Sequence, residues 1–363
     1  MINSYKIRQV MRVVLIGCGR IAHRHATVIS ELQDSLDISL AGACEIDTEK
    51  GRAFSEKHRV KVYSEIIEAI NECKPDIVSI LTESGNHAKH ASLILKQGVS
   101  VIVEKPAALS AHDVSKLDNL AKSNNATFYT VKQNRFNKPI MLLKQLIEED
   151  KLGQILLVTS RVRWMRDDKY YKQASWRGTK KLDGGVIANQ ASHHLDMMVW
   201  IGGRVKKVNG VLRRFMAPIE CEDTALATIE FEKGCIGAFE ATTCTRQKDL
   251  EGSISVLGTK GSCVVSGFAM NRLESLSFTG QENESIEINK YSTNPPDVYG
   301  FGHIEFYKAL FNHFSNGISH RSIVVGDEAL HTVEVMNALY NSNERGTWVE
   351  PSVKDDYFER TLQ

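Results

Sequence analysis

From Arg12 onward the chain alternates short apolar runs with amphipathic stretches. The runs are VVLIG, ISLAGAC, KVY, DIVSILT from Asp76 to Thr82, VSVIVEKP and ATFYTVKQN. Between them the spacing predicts helices from about Ile21, from about Thr48, around 87–97 and around 111–123. Runs rich in Val and Ile without strict alternation suit strands covered on both faces, with the helices as crossovers. The expected fold class is therefore α/β, a doubly wound parallel sheet over residues 1–135. One more helix, KPIMLLKQLIEEDKLG, follows, and then the texture changes. QILLVTSRVRWM, RVKKVNGVLRRF, TALATIEFEKG and CIGAFEATT alternate polar with apolar positions and are joined by short glycine turns. Residues 136–363 are thus expected to form a second, α+β domain around a large, mostly antiparallel sheet with one open face. That face is expected to build a homodimer or homotetramer, and two helices, HIEFYKALFNHFSNG and GDEALHTVEVMNALYNSNERG, are expected to close the chain.

Composition narrows the partners. Hydrophobic residues make up 42% and charged residues 25%, ordinary for a folded chain of this length. A formal net charge of +1 offers no electrostatic footprint for nucleic acid or an anionic membrane. The seven cysteines are scattered, odd in number and without a CxxC pair, which suits reduced thiols better than a disulfide framework or a zinc site. The apolar run near the start is about five residues, and no stretch approaches the roughly 20 of a membrane span. A cytoplasmic protein acting on a small molecule is the expectation.

Gly17, Gly19 and Ala22 form GxGxxA between the run VVLI and a helical pattern. The first glycine permits a tight turn, the second admits a pyrophosphate to the backbone, and the small third residue lets helix pack on strand. Arg20 and Ile21 open the helix, so their N–H groups join the phosphate site. Glu45, 26 positions after Gly19, ends the second predicted strand, where a carboxylate accepts from ribose hydroxyls and repels a 2′-phosphate. NAD is the expected cofactor, with Asp47 as the competing carboxylate.

Two further segments carry candidate chemistry. Glu104-Lys105-Pro106 directly follows the strand SVIV, at the sheet edge where α/β sites lie, and Lys105 can donate to a substrate hydroxyl. In DGGVIANQASHHLDMMVWIGG, Asn189, His193 and Asp196 recur at spacings of four and three, which on a helix is one face. A histidine there can take a hydroxyl proton near neutral pH. His193, His194 and Asp196 also look ligand-like, but adjacent helical residues diverge by about 100°, and no metal is expected.

Taken in order, GCGRIAHRH, ILTESGNHAKH, EKPAALS and GGVIANQASHHLD resemble the Gfo/Idh/MocA oxidoreductases over nearly the whole chain. That resemblance implies an N-terminal Rossmann domain over 1–135, a substrate and oligomerisation domain over 136–363, and Lys105 and His193 flanking the reacting carbon. Thr82, His87 and Glu104 would join Lys105 near the nicotinamide. Asn189 stands where many members have Asp, and Asp183 where many have the first glycine of a GGG. A narrower resemblance, in VKQNRFNKP, WMRDDKYYKQASWRGTKKLDGG and DVYGFGH, is to UDP-N-acetylglucosaminuronate 3-dehydrogenases and their nucleotide-sugar relatives. It implies oxidation of a sugar C3 hydroxyl in surface-polysaccharide synthesis. Asn134, Arg135, Arg166, Tyr170, Trp176, Arg177, Asn189, Gln190, His193 and His194 are the expected substrate contacts. Arg135, Arg163, Arg166 and Arg177 supply guanidinium forks for a pyrophosphate or carboxylate, and the aromatic residues supply flat faces and hydroxyls. A free polyol or aldose is the alternative substrate, and a non-catalytic dinucleotide-binding regulator the alternative function. The 280–300 loop is expected to lie near the substrate as a flap, with Tyr299 and His303 lining the site.

Overall fold

The computed structural model describes residues 10–280, 288–293, 295 and 299–362. Five parallel crossovers build the first sheet. Its strands are β1 (Met11–Ile16), β2 (Ile38–Cys44), β3 (Val62–Tyr63), β4 (Ile77–Ile80), β5 (Ser100–Val103) and β6 (Phe128–Thr130). Helices α1 (Arg20–Leu32), α2 (Thr48–His58), α3 (Ile66–Cys73), α4 (His87–Leu95) and α5 (Ala111–Ser123) connect them. β4 and β5 are buried at every position, as their unbroken apolar runs require of strands covered on both faces. β1 pairs in parallel with β2 on one side and β4 on the other, so the strand order reverses there and a crevice opens above their C-terminal ends.

Helix α6 (Lys138–Glu148) leads into the second sheet, whose strands are β7 (Ile155–Arg163), β8 (Val205–Arg213), β9 (Thr224–Phe231), β10 (Ile236–Thr242), β11 (Glu251–Gly258), β12 (Gly261–Ser266) and β13 (Arg272–Phe278). They run in the order β13-β12-β11-β7-β10-β9-β8, antiparallel except for the β7–β10 pair. Between β7 and β8 lie α7 (Asp168–Tyr171) and α8 (Ser192–Gly202), and α8 packs its apolar side on β7. The outer face is open, as the alternation predicts, with Val211, Leu226, Ile236 and Leu257 exposed on it.

The chain then returns to the first sheet. Helix α9 (Gly302–Asn316) brings Phe306, Tyr307 and Leu310 against the α1 face, in one core with Val13, Leu15 and Ile29. The short strand β14 (Val324–Val325) adds antiparallel to β6 at the sheet edge. Helix α10 (Leu330–Arg345) packs on β8 and α5, so the core on the other side of the first sheet runs continuously into that of the second.

Candidate active site

At the C-terminal end of β1, Gly17 adopts φ +94° and sits so close to the Leu81 carbonyl that a Cβ would lie 3.1 Å from its oxygen. Gly19 is different, because a Cβ there would meet nothing within 4 Å. Its backbone, at φ −72°, suits any residue, so protein packing does not explain the glycine. Gly19 starts α1 without a side-chain cap, so the first-turn N–H groups, those of Arg20 and Ile21 among them, have no side-chain acceptor there. An open, uncapped helix N-terminus is what a pyrophosphate requires, and the residues present fit NAD. Glu45 ends β2 beside this turn and accepts from Cys18 N–H (2.8 Å) through one oxygen and Asp47 N–H (3.0 Å) through the other. The competing carboxylate, Asp47, caps α2 by accepting from Glu49 N–H and Lys50 N–H.

Glu104 and His87 are turned inward. Glu104 is buried, with its Oε1 3.1 Å from His25 Nε2 and 3.7 Å from His303 Nε2, and its Oε2 accepts Lys105 N–H at 3.0 Å. The two histidines hold its carboxyl well below the usual range despite burial. His87 places one ring nitrogen 2.7 Å from Pro106 O and the other 3.1 Å from Thr82 O, tying the loop after β4 to the loop after β5. Thr82 itself bonds His90 (3.0 Å). His303, expected to line the site, lies in the Glu104 cluster, and Tyr299 carries the Arg20 guanidinium 5.6 Å above its ring. Most of the 280–300 loop lies outside the described residues.

The catalytic candidates do meet. Lys105 is held by its Nζ donating to Asn189 O (2.7 Å), and burial lowers its pKa. His193, in the first turn of α8, has its Nε2 2.9 Å from Gln133 Nε2. Burial, then the cations of Lys105 and Lys132, push its pKa well below the usual histidine value, so the ring is neutral. Asn189 is not on the helix with His193, contrary to the spacing argument. A wide turn, closed by Ala191 N–H on Val186 O (2.8 Å), precedes α8 and swings the Asn189 carbonyl to Lys105.

Asp196 and Arg135 also depart from expectation. Arg135 grips Asp196 with two bonds of 2.8 and 2.7 Å, Lys132 Nζ stands 3.3 Å from the same carboxylate, and all three side chains are buried. The Arg135 fork is therefore engaged by Asp196 within the protein. Arg163 is likewise committed, to Glu240 and Glu251 on the outer face of the sheet. His194 lies edge-on to Trp164 in the core, its pKa pushed down to about 4 by burial. Asn134 is buried in the turn after β6, and no side-chain hydrogen bond joins it to the other described residues.

The remaining substrate candidates form one network. Arg166 donates to Gln190 Oε1 (2.9 Å) and Asp249 Oδ1 (3.1 Å), and stacks over Trp164 and Tyr170. Arg177 lies over Tyr170 and Trp176 and donates to the Tyr170 hydroxyl. Gln190 Nε2 donates to that hydroxyl (2.7 Å) and to Asn189 Oδ1 (3.1 Å), and Asn189 donates to Asp183. Buried polar atoms without partners among the described residues gather here: Gln133 Oε1, Trp164 Nε1, Arg177 Nε, Ser192 Oγ and His193 Nδ1. Such atoms call for a partner, a water or a ligand, that the described residues do not supply. Lys132 and Gln133 are the residues that sequence reasoning missed, although their place directly after β6 put them on the same sheet edge as Lys105.

Beneath the site, Glu222 accepts from Ile187 N–H (3.0 Å) and Tyr340 O–H (2.9 Å), and burial pushes its pKa up to about 8. A carboxyl raised above its ordinary 4.5 binds its proton more tightly folded than unfolded. The stability it contributes is full below that ordinary value and is lost as pH rises through about 8. The loss is on the order of 5 kcal/mol. Glu222→Gln is expected to remove it, so the gap in Tm between variant and wild type should open in the variant's favour between pH 5 and pH 9. A constant gap would refute the assignment.

Comparison with known proteins agrees with this geometry. Residues 11–132 match the Gfo/Idh/MocA oxidoreductase family's NAD-binding Rossmann fold, and residues 144–350 its C-terminal alpha/beta domain. The structure superposes on the WlbA dehydrogenase from Bordetella pertussis, solved with NADH and UDP-GlcNAcA, with TM-score 0.89 and 31% identity over 94% of this chain and 98% of that one. The WlbA dehydrogenase from Chromobacterium violaceum, solved with the same two ligands, gives TM-score 0.86 and 32% identity over 95% and 96%. The scyllo-inositol 2-dehydrogenase (NAD(+)) of Bacillus subtilis is 26% identical over 96% of this chain and 98% of its own.

Proposed function

Since the chain belongs to the Gfo/Idh/MocA family of NAD-dependent oxidoreductases, we propose that it oxidises the C3 hydroxyl of a UDP-linked N-acetylated hexuronate. The observation that carries this reading is the Arg166–Gln190–Tyr170–Arg177 network, joined through Asn189 to the lysine that holds the reacting oxygen. Arg166 is shared with Asp249, but Arg177 pairs with no carboxylate among the described residues, and a guanidinium left open there suits a pyrophosphate or carboxylate better than a small neutral polyol. The likeness to two WlbA structures that contain UDP-GlcNAcA supports the same substrate class.

Each residue then has a defined task. His193, neutral because burial and two neighbouring lysines disfavour its charged form, takes the hydroxyl proton. Lys105, fixed by Asn189 O, donates to the oxygen as negative charge develops on it. NAD, when bound, supplies the nicotinamide ring that accepts the hydride. Asp183, Asn189 and Gln190 keep the wide turn in register with Lys105.

Titration calorimetry in saturating NADH tests the substrate class, comparing UDP-N-acetylglucosaminuronic acid with UDP-N-acetylglucosamine, UDP and myo-inositol. The uronate is expected to bind most tightly, with UDP alone retaining much of the affinity. Binding of inositol without binding of any UDP compound would overturn the assignment.

A further inference from the structure

His193 makes a single side-chain hydrogen bond among the described residues, to Gln133. The side chain is half-buried, and its Nδ1 has no partner among the described residues. The charged groups that act on it are Lys105 and Glu104 from the end of β5, Lys132 from the end of β6, and Asp196 from its own helix. None of these carboxylates orients the imidazole: Glu104 serves His25, His303 and Lys105 N–H, and Asp196 serves Arg135, Lys132 and Thr332. A neutral imidazole has one donor and one acceptor nitrogen, and whichever bond one nitrogen makes decides what the other can do.

We propose that Gln133 is the positioning residue of His193, fixing the ring through Nε2 so that Nδ1 is the atom that exchanges a proton with the substrate hydroxyl. An amide suits this place because it offers a donor and an acceptor at one point. With its Nε2 toward the imidazole, as in this structure, the proton of the neutral ring rests on Nδ1. With the amide turned end for end, Gln133 Oε1 accepts from Nε2–H and the Nδ1 lone pair is free. Gln133 Oε1 is itself buried without a partner, so the turned arrangement gives that atom its hydrogen bond. In the turned state, proton transfer breaks the substrate O–H bond and forms Nδ1–H. The resulting imidazolium keeps its Nε2–H on Oε1 while the hydride leaves the same carbon.

The inference rests on His193 as the base, and the test separates the two. Nitrogen-15 shifts of the His193 imidazole, recorded on the full-length labelled protein with NADH bound, report tautomer and pKa without any turnover. With NADH bound, wild type is expected to show the Nε2–H tautomer as the dominant one and Gln133→Met a mixture; a dominant Nδ1–H tautomer in wild type would overturn the proposal. Gln133→Glu, which sets a carboxylate against the ring, is expected to raise the His193 pKa by at least one unit. With UDP-N-acetylglucosaminuronic acid, Gln133→Met should lower kcat about 10–100-fold with KM within threefold, a loss within the range of general-base catalysis. In Gln133→Glu the acid limb of the pH profile should move upward. A purely structural role would lower Tm and leave the tautomer ratio and the pH profile in place, and that outcome overturns the proposal. If His193→Asn turns over as fast as wild type, the base assignment fails instead, whatever the Gln133 variants do.

Discussion

Replacing His193 with Asn is expected to lower kcat by about 10² to 10⁴ while the protein still folds and still binds NADH, the loss typical of a removed general base. Asn keeps a polar group near Gln133 but cannot take a proton. Burial and two lysines hold the native ring neutral, so the wild-type base is available across the neutral range and its turnover should fall only toward acid pH. Steady-state kinetics beside NADH fluorescence titration reads the split. Turnover within twofold of wild type would end the role assigned to this residue.

The largest stability effect belongs to Asp196, through the charges that its removal would strand. Asp196→Asn would leave the Arg135 guanidinium and the Lys132 ammonium buried together without their counter-charge. Breaking a buried pair by removing one partner costs about 3–5 kcal/mol, against less than about 1 for an exposed pair. Two cations share this carboxylate, and its pKa lies far below the ordinary aspartate value because of them, so the upper end of that range is expected. Denaturant unfolding of the variant checks it. A loss under about 1 kcal/mol would mean that water reaches the cluster.

Legibility in the sequence followed the reach of each interaction. Strands β4 and β5 are local objects, unbroken apolar runs bounded by turns, and both the GxGxxA turn and Glu104-Lys105-Pro106 sit at strand ends that the pattern marks. The pairing of Arg135 with Asp196, 61 positions apart, has no local signature, and an arginine bound to a carboxylate reads from sequence just like one awaiting a phosphate. The wide turn before α8 was hidden for another reason. Helical spacing counts about 3.6 residues per turn, and the i to i+5 closure at Ala191 breaks that count between Asn189 and His193. Gln133 escaped notice because an amide has no titration of its own, so its part shows only beside the imidazole it holds. Strand β14 is two residues long, and its pairing with β6 follows from the path of α9, not from its own composition.

That return path bears on how the protein is made. The first sheet leaves the ribosome early, yet Val13, Leu15 and Tyr129 share their core with Phe306, Tyr307 and Leu310, and the β6 edge waits for Val324 and Val325. Until α9 emerges, the nascent chain presents an uncovered apolar face and an unpaired strand edge, the features that invite wrong associations. The segment that follows β5 and carries Lys105 is under the same constraint, because Glu104 gains His303 only from that late helix. Synthesis and the assembly of a working centre are thereby locked in sequence: a truncated chain ending before residue 302 carries the dinucleotide turn but lacks the cover of its own first domain.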